Sequence, residues 1–446
     1  MVELEPNDKK DVSAEILQPG ENWDSQIDSL RTTFGAPHNP DLFPPHFMKR
    51  TLTSIGGFIV EFKERANLCG MGLLFPRIDE GTMEYTLRFH PLSPNITAES
   101  ARVLSEDLIY QVVGEKRPIH LYRPQVNAKE FEADVEYNED INVDRTPPGA
   151  GGKVRDLQRE IWGVTNDDFL YPADIHSTDF SLPTSLIAVI GGEEVGFLFG
   201  FDKFYFKEMP QGLEGLIDNP TFRQESQLMG VLPDRRSRDI GTALKMKQAQ
   251  LALRKGTEII NWTFDPLIAQ NAYLNLNKLG GIIWDHTPDY YAFSGANKLN
   301  QVVASRFGVS WFISSPRVSK RLEGGNYQGN ILKEELLTGN IPIVNRTTAY
   351  AELGRVGARV VDNKYVQDVE SRLLAVEIPV DWITIQQEDI ALAQQWRGVT
   401  DEIFQKYIGT STGKYAITDA VVLSKNGIVE RAFLVASPIE QVQKIL

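Results

Sequence analysis

Cysteine is all but missing: Cys69 is the single one in 446 residues. That excludes a disulfide framework and a thiolate metal cluster. Cys69 itself sits in the apolar run NLCGMGLLF and reads as a small buried side chain. Basic residues are outnumbered, 46 Lys and Arg against 60 Asp and Glu, for a net charge of −14. A nucleic-acid scaffold needs a basic face and is excluded on that ground. No apolar run reaches the ~18 residues of a membrane span, so no membrane partner is expected. The start, MVELEPNDKKD, lacks the apolar core of a signal peptide and the Arg/Ser bias of a transit peptide, and a cytoplasmic protein is expected. The six histidines show no metal-ligand spacing, and HExxH, CxxC and EF-hand patterns are absent. No metal site is expected. No G-x-S-x-G elbow appears, which argues against a serine hydrolase. Gly56-Gly57 and Gly191-Gly192 sit in turns and match neither a P-loop nor a dinucleotide fingerprint.

What is present begins with length. A chain of 446 residues exceeds one ordinary core and predicts two or three domains. Its most informative stretch is Val231–Gly281. An apolar strand ends at Val231-Leu232-Pro233, and an Arg-rich loop feeds a helix at Ile240-Gly241. That helix runs to Arg254-Lys255-Gly256, and a second strand follows at Glu258–Phe264. A loop-to-helix turn exposes unpaired N–H groups, and the helix dipole adds positive potential there. Such a turn cradles pyrophosphate, so a phosphate-bearing cofactor is expected.

The chain also repeats itself. Ile27–Arg77 and Val154–Lys203 each read as a helix, a Pro-containing loop and a two-strand hairpin, with Gly35 matching Gly163 and Pro44 matching Pro172. The strand ending at Pro91 parallels the one ending at Pro233. The helix AESARVLSEDLIYQVV parallels GTALKMKQAQLALR, and PIHLYRP parallels IINWTFDP. Four elements in register predict a tandem duplication. After Pro91, however, LSPNITAES has neither glycine nor arginine and offers no open phosphate loop. The predicted layout is a disordered start (1–20), a degenerate first domain (21–131) and a linker (132–153). The linker is acidic, then rich in Pro and Gly. A second domain (154–320) and a connector with a C-terminal α/β extension (321–446) complete it. In the extension, EDIALAQQWRGVTDEIFQKYI predicts a helix, and two strands flank the turn Lys425-Asn426-Gly427. WDHTPDYYAFSG, after Gly281, reads as an acidic, aromatic loop.

Val231–Gly281 resembles motifs A and B of the GNAT superfamily of acyl-CoA N-acyltransferases. The residues are Val231-Leu-Pro233, then Arg236-Ser-Arg-Asp239-Ile-Gly241, then Asn271-Ala272 and Lys278-Leu279-Gly280. The resemblance covers roughly 150–320 well and 20–130 only through the repeat. The implied fold is α/β with a mixed (α+β) sheet, here two tandem GNAT-like domains with the α/β extension. The implied donor is acetyl-CoA or another acyl-CoA. Val231, Arg236, Ser237, Arg238, Asp239, Ile240, Gly241 and Thr242 are implied to hold its pyrophosphate and Asn271 its pantetheine or adenosine arm. Arg235 adds positive potential. Read alone, the arginines are equally a solvated loop, and Asn271 equally a helix N-cap. The family's first loop glycine is Asp239 here, whose carboxylate would face an anion.

Direct acyl transfer needs a base for the amine and an acid for the thiolate. Glu225 stands 11 residues before Arg236, where the family often places its base. Strict alternation puts Glu225, Gln227, Met229 and Val231 on one face of the strand. The family's acid, a tyrosine, falls on Leu276; Tyr273, Tyr290 and Tyr291 are substitutes, and Tyr291 is taken as the candidate. His286 reads as a base near the acceptor mouth or a solvated loop residue, and His176 as a surface loop residue. The expected function is transfer of an acyl group to a small-molecule or peptide amine in a ternary complex. The alternative is a catalytically degenerate tandem fold that binds a metabolite or partner. A monomer or homodimer is expected.

Overall fold

Helical and alternating apolar spacing become elements much where the sequence places them. The computed structural model describes residues 12–79, 81–122, 141–147, 149–163, 170–176, 185–206, 209–210, 213, 220–236, 238–291, 302–323, 329–349, 359–409 and 414–446. The chain divides into two units, Met1–Tyr205 with Thr221–Gly256, and Phe206–Pro220 with Thr257–Leu446. Both mix strands and helices. None of the described helices is long and apolar enough to cross a membrane.

In the first unit one order of elements occurs twice. It begins with β1 (Val12–Ile16), α1 (Trp23–Thr33), and a π-helical turn Phe47–Thr51 leading into α2 (Leu52–Ser54). Then come β2 (Phe58–Glu64), β3 (Asn67–Asp79), β4 (Thr82–Pro91), α3 (Ala98–Val113) and β5 (Ile119–Leu121). The second pass runs β6 (Asn142–Arg145), α4 (Gly151–Trp162), a 3₁₀ turn Ala173–His176, β7 (Leu186–Ile190), β8 (Glu193–Phe204), β9 (Phe222–Val231) and α5 (Ile240–Arg254). Strands β1 to β5 form one sheet in chain order, antiparallel except for the parallel β4–β5 pair. Strands β6 to β9 pair antiparallel, also in chain order. Residues 123–140, most of the expected linker's acidic part, lie outside the described residues. Asn142–Arg145, within that linker, already pairs with β7. Gly35 and Gly163, matched in the sequence repeat, have φ of 94° and 63° where α1 and α4 end. Glycine, with no Cβ, takes such a turn at little steric cost.

The two passes share one core. Phe43, Phe47 and Phe75 from the first meet Tyr171, Phe199 and Phe201 from the second. Ring centroids lie 5.1 Å apart for Phe47–Phe201, 5.7 Å for Phe75–Phe201 and 5.9 Å for Phe43–Tyr171. Each such pair adds about 0.5–1.5 kcal/mol beyond its burial. Polar ties cross the same seam. Arg88 holds Asp174 at 2.8 Å, and the Ile78 N–H donates to Asp202 at 3.1 Å.

Strand β9 is not regular. Phe199 of β8 lies opposite Leu228, and Phe201 opposite Glu225, so two steps on β8 meet three on β9. The extra residue is a β-bulge. It overturns the single-face alternation expected from Glu225 to Val231. Glu225, opposite Phe201, and Gln227, bonded to the Tyr171 hydroxyl at 2.8 Å, lie on the aromatic-core side. Met229 and Val231 lie on the other side with Leu198, Ile240 and Leu244.

The second unit carries β10 (Ile259–Phe264), α6 (Ala269–Ala272), β11 (Ile282–Tyr291), β12 (Ala304–Phe312), α7 (Pro316–Leu322) and α8 (Gly329–Leu337). The hairpin β13 (Asn345–Ala349) with β14 (Arg359–Tyr365) follows, then β15 (Leu374–Ile378), α9 (Trp382–Glu388) and α10 (Ile390–Tyr407). The chain ends in β16 (Tyr415–Lys425), β17 (Ile428–Pro438) and α11 (Ile439–Ile445). Its main sheet runs β10-β12-β11-β16-β17-β15 with antiparallel pairings. The expected helix is α10, capped by Asp389, whose carboxylate accepts from the Leu392 N–H at 2.9 Å. Asn426 and Gly427 turn the β16–β17 hairpin with φ of 51° and 78°. The acidic loop expected after Gly281 is instead β11. Proline and aspartates suggested a loop, yet β11 meets β16 only at Ile283, so Pro288 lies where no neighbour needs its missing N–H.

The bulge sets a steric test. A Cβ on Gly200 would stand 2.2 Å from the Glu225 carbonyl oxygen, a backbone atom that cannot swing away. Gly200→Ala is expected to destabilise the first unit by about 3 kcal/mol, as overpacking does. Chemical denaturation measures it; an unchanged midpoint would mean the bulge yields freely.

Candidate functional site

The end of β9 leads directly into the site. The Leu232 N–H donates to the Val195 carbonyl at 3.0 Å, the last tie to β8. Leu232 is extended (φ −50°, ψ 138°), as a residue before proline must be. Pro233 then opens a single 3₁₀ turn to Arg235. The chain reverses at Asp239, whose φ of 58° and ψ of 12° are left-handed. Aspartate tolerates this conformation better than most residues, so Asp239 keeps the bend that the missing glycine would make. Ser237 lies outside the described residues.

Helix α5 starts immediately, and its first internal bond is Ala243 N–H to the Asp239 carbonyl at 2.9 Å. The N–H groups of Ile240, Gly241 and Thr242 therefore have no acceptor within the helix. Asp239 makes no side-chain cap bond to them. The equivalent helix of the first pass is built differently. Thr97 Oγ1 accepts from the Ser100 N–H at 3.1 Å, and Ser100 Oγ accepts from the Thr97 N–H at 2.9 Å. This capping box closes α3 with its own side chains.

The three loop arginines differ. Arg235 is bound to Glu193 at 2.5 Å. Arg236 is exposed and reaches back to the Val231 carbonyl through Nε at 3.3 Å. Arg238 is exposed with no ion pair among the described residues. Gly241 has room: a Cβ there would meet nothing nearer than the Met229 Cε at 3.5 Å.

Nearer the start of β9 lies buried charge. Glu225 is 8% exposed and pairs with Lys203 Nζ at 2.8 Å. On the opposite face Lys245 of α5 is buried and donates to Ser226 Oγ at 2.7 Å. Burial holds its amine well below the usual lysine range, and the charge of Glu225 opposes that only in part. Sequence reading passed over Lys245, although it shares the apolar spacing of Leu244, Gln248, Leu251 and Ala252 along α5. Tyr171 was missed too. Its hydroxyl accepts from Gln227 at 2.8 Å and lies 3.3 Å from His46 Nε2. No local pattern marks it, because its partners are distant in sequence.

Glu225, Val231, Arg236, Arg238, Asp239, Ile240, Gly241 and Thr242 all belong to the first unit. Asn271 and Tyr291 belong to the second. Asn271 is half-buried within α6; the helix N-cap is Ile268, and the preceding turn is closed by Asp265, whose carboxylate accepts from the Leu267 N–H at 2.9 Å. The N-cap role open to Asn271 is therefore not the one it plays. Leu276 is fully buried in the π-helical turn Tyr273–Lys278. Tyr291 ends β11 opposite Ala304, and its side chain lies outside the described residues.

Both histidines depart from expectation. His286 is not solvated: its side chain is 2% exposed, its Nε2 lies 3.1 Å from Asp401, and it packs on Phe307 and Phe404. His176 is not at the surface either. It is 1% exposed, 3.1 Å from Ser185 Oγ, and edge-on to Phe199 at 4.9 Å. Burial alone pushes its pKa down to about 3. In both cases polar neighbours in the sequence hid an apolar setting supplied by other elements.

No protein-family model matches the chain, and no curated protein matches it. Solved structures resemble part of it distantly. Arabidopsis thaliana NAA60 in complex with acetyl-CoA is 14% identical, with a TM-score of 0.31 over 40% of this chain and 100% of that one. The yncA protein of Salmonella typhimurium with acetyl-CoA is 13% identical, with a TM-score of 0.30 over 40% and 98%. An acetyltransferase of the GNAT family from Streptococcus pneumoniae is 8% identical, with a TM-score of 0.29 over 38% and 98%.

His176 predicts a pH dependence. The folded protein keeps it neutral down to about pH 3, whereas the unfolded chain protonates it near 6.5. The unfolded state therefore binds the proton first, and stability present above pH 6.5 is lost as pH falls towards 3. The loss is of the order of 4 kcal/mol. Urea unfolding between pH 7 and 4 should show a shallower decline in His176→Gln; an equal decline would clear His176 as its source.

Proposed function

We propose that this chain is a GNAT-type N-acyltransferase that moves an acetyl or other acyl group from acyl-CoA to the amine of a small molecule or peptide. The observation that supports it best is the open start of α5. Glycine inside a helix costs about 0.5–1 kcal/mol relative to alanine. At Gly241 the chain's own packing does not call for it, since a Cβ would fit. A phosphate group lying against the N–H groups of Ile240, Gly241 and Thr242 would call for it. Arg236, Ser237 and Arg238 would supply further donors and positive potential.

In this reading acyl-CoA supplies the activated acyl group, and the protein positions and deprotonates the amine. Asn271 would bond the pantetheine or adenosine arm. Glu225 would take the amine proton, through water, with Lys203 fixing its carboxylate. Tyr291 would return a proton to the leaving thiolate. The lone cysteine, Cys69, is buried in β3, which favours direct transfer over an acyl-enzyme. The two passes through one order of elements support an ancestral duplication, with the self-capped first copy serving as scaffold. A chain that contains both copies can work as a monomer.

Thermal unfolding with and without acetyl-CoA and CoA tests the reading. Ligand at ~100-fold over its dissociation constant should stabilise the protein by about 2.7 kcal/mol. Gly241→Ala should move two quantities in opposite directions. Without ligand it gains about 0.5–1 kcal/mol from the better helix former; with ligand the response disappears. Asp239→Gly, which removes a carboxylate from the anion's approach, should enlarge the response. A response that survives Gly241→Ala, or one absent from both the natural chain and Asp239→Gly, would sink the assignment.

A further inference from the structure

The second unit contains a concavity of about 660 Å³, walled by β13, β14, β17 and α10. Its size is that of a small-molecule site. At its back Glu377 of β15 is buried, its side chain 1% exposed. That carboxylate accepts from Arg359 Nε at 2.8 Å, from Arg431 Nη2 at 2.5 Å and Nε at 3.1 Å, and from Thr347 Oγ1 at 2.6 Å. One buried carboxylate thus holds two guanidiniums in place, and Arg431 forms part of the wall, its guanidinium over the Phe433 ring at 4.7 Å.

A third guanidinium, Arg346, lines the opening and has no ion pair among the described residues. The carboxylate on that lining is Asp362, one of whose oxygens is taken by the Lys364 N–H at 3.1 Å. The Asn363 side-chain oxygen accepts from Gln395 Nε2 at 3.0 Å, which leaves its amide nitrogen as a donor, and Thr348 adds a hydroxyl. Two guanidiniums, Arg346 and Arg431, therefore meet one carboxylate, Asp362, on the concave lining of a chain whose net charge is −14. Glu377 already balances Arg359 and Arg431, so Arg346 is the guanidinium on the lining that an incoming anion would pair with. Guanidiniums fixed by a buried carboxylate are pre-organised for planar, paired contacts with carboxylate or phosphate oxygens.

We propose that this concavity binds a small organic anion through a carboxylate or phosphate group, with Arg346 and Arg431 as its charged contacts. The residues that line the site all belong to the second unit, and it does not depend on the acyl-CoA reading.

Isothermal titration calorimetry on the full chain, with citrate and separately with inorganic phosphate, tests it. Binding of either probe is expected, and which one binds tells carboxylate from phosphate preference. Arg346→Gln should weaken that binding about tenfold, or about 1.4 kcal/mol. Its melting temperature should not change, because Arg346 is exposed. Gly241→Ala should leave the affinity untouched. The bound probe should also slow amide hydrogen exchange in 343–349 and 359–365. No heat with either probe at millimolar concentration would overturn the proposal. So would equal affinity in Arg346→Gln, or loss of binding in Gly241→Ala, which would assign the anion to the α5 loop instead.

Discussion

Everything around the start of α5 depends on one extra residue in β9. Without the bulge opposite Gly200, strict alternation would carry Glu225 and Gln227 to the α5 side, with Met229 and Val231. With it, the lower part of the strand turns Glu225 and Gln227 towards the aromatic core. Its upper part seats Ile240 and Leu244 of the helix. Gly200 makes the irregularity possible, because its missing side chain lets the Glu225 carbonyl come close. A local defect in hydrogen bonding thus decides which side chains face the aromatic core and which anchor the helix.

Around this strand the first unit accepts an unusual amount of buried polarity. Asp202 is fully buried and takes the Ile78 N–H at 3.1 Å, with Lys255 at 3.4 Å. Burial raises its pKa, while Lys255 and the backbone donor work against that shift. Lys245 is the converse, an amine whose charged form burial disfavours. Such groups are poor sources of stability, because desolvation offsets most of their attraction. Their service here is positional. Asp202 joins β8 to β3, and Lys245 joins α5 to Ser226 at the bulge.

The two helices that follow β4 and β9 show how little chemistry separates a closed helix end from an open one. Thr97 and Ser100 give α3 its own acceptors, and the helix needs nothing further. Asp239 spends its backbone on a left-handed bend and gives α5 no side-chain cap, so the positive end of the helix faces outward with Arg236 and Arg238 beside it. The second unit handles charge differently. Its guanidiniums are held from behind by one buried carboxylate, Glu377.

Much of this was legible in the sequence. The helices and strands of the two repeated passes, the turn into α5, the Asn426-Gly427 hairpin and the helix α10 all follow from signals within a few residues of one another. Capping, turn chemistry and apolar spacing act locally, so the local sequence determines them. Contact with distant residues decided the rest. The bulge in β9 needs Gly200 on another strand. The burial of His176 needs Phe199 and Ser185, and that of His286 needs Asp401 and Phe404. Residues 282–291 became a strand because β12 supplies the hydrogen bonds that a proline and two aspartates seemed to forbid. Which face a side chain takes, and how much water it keeps, is set by what packs against it, and only the tertiary structure fixes that.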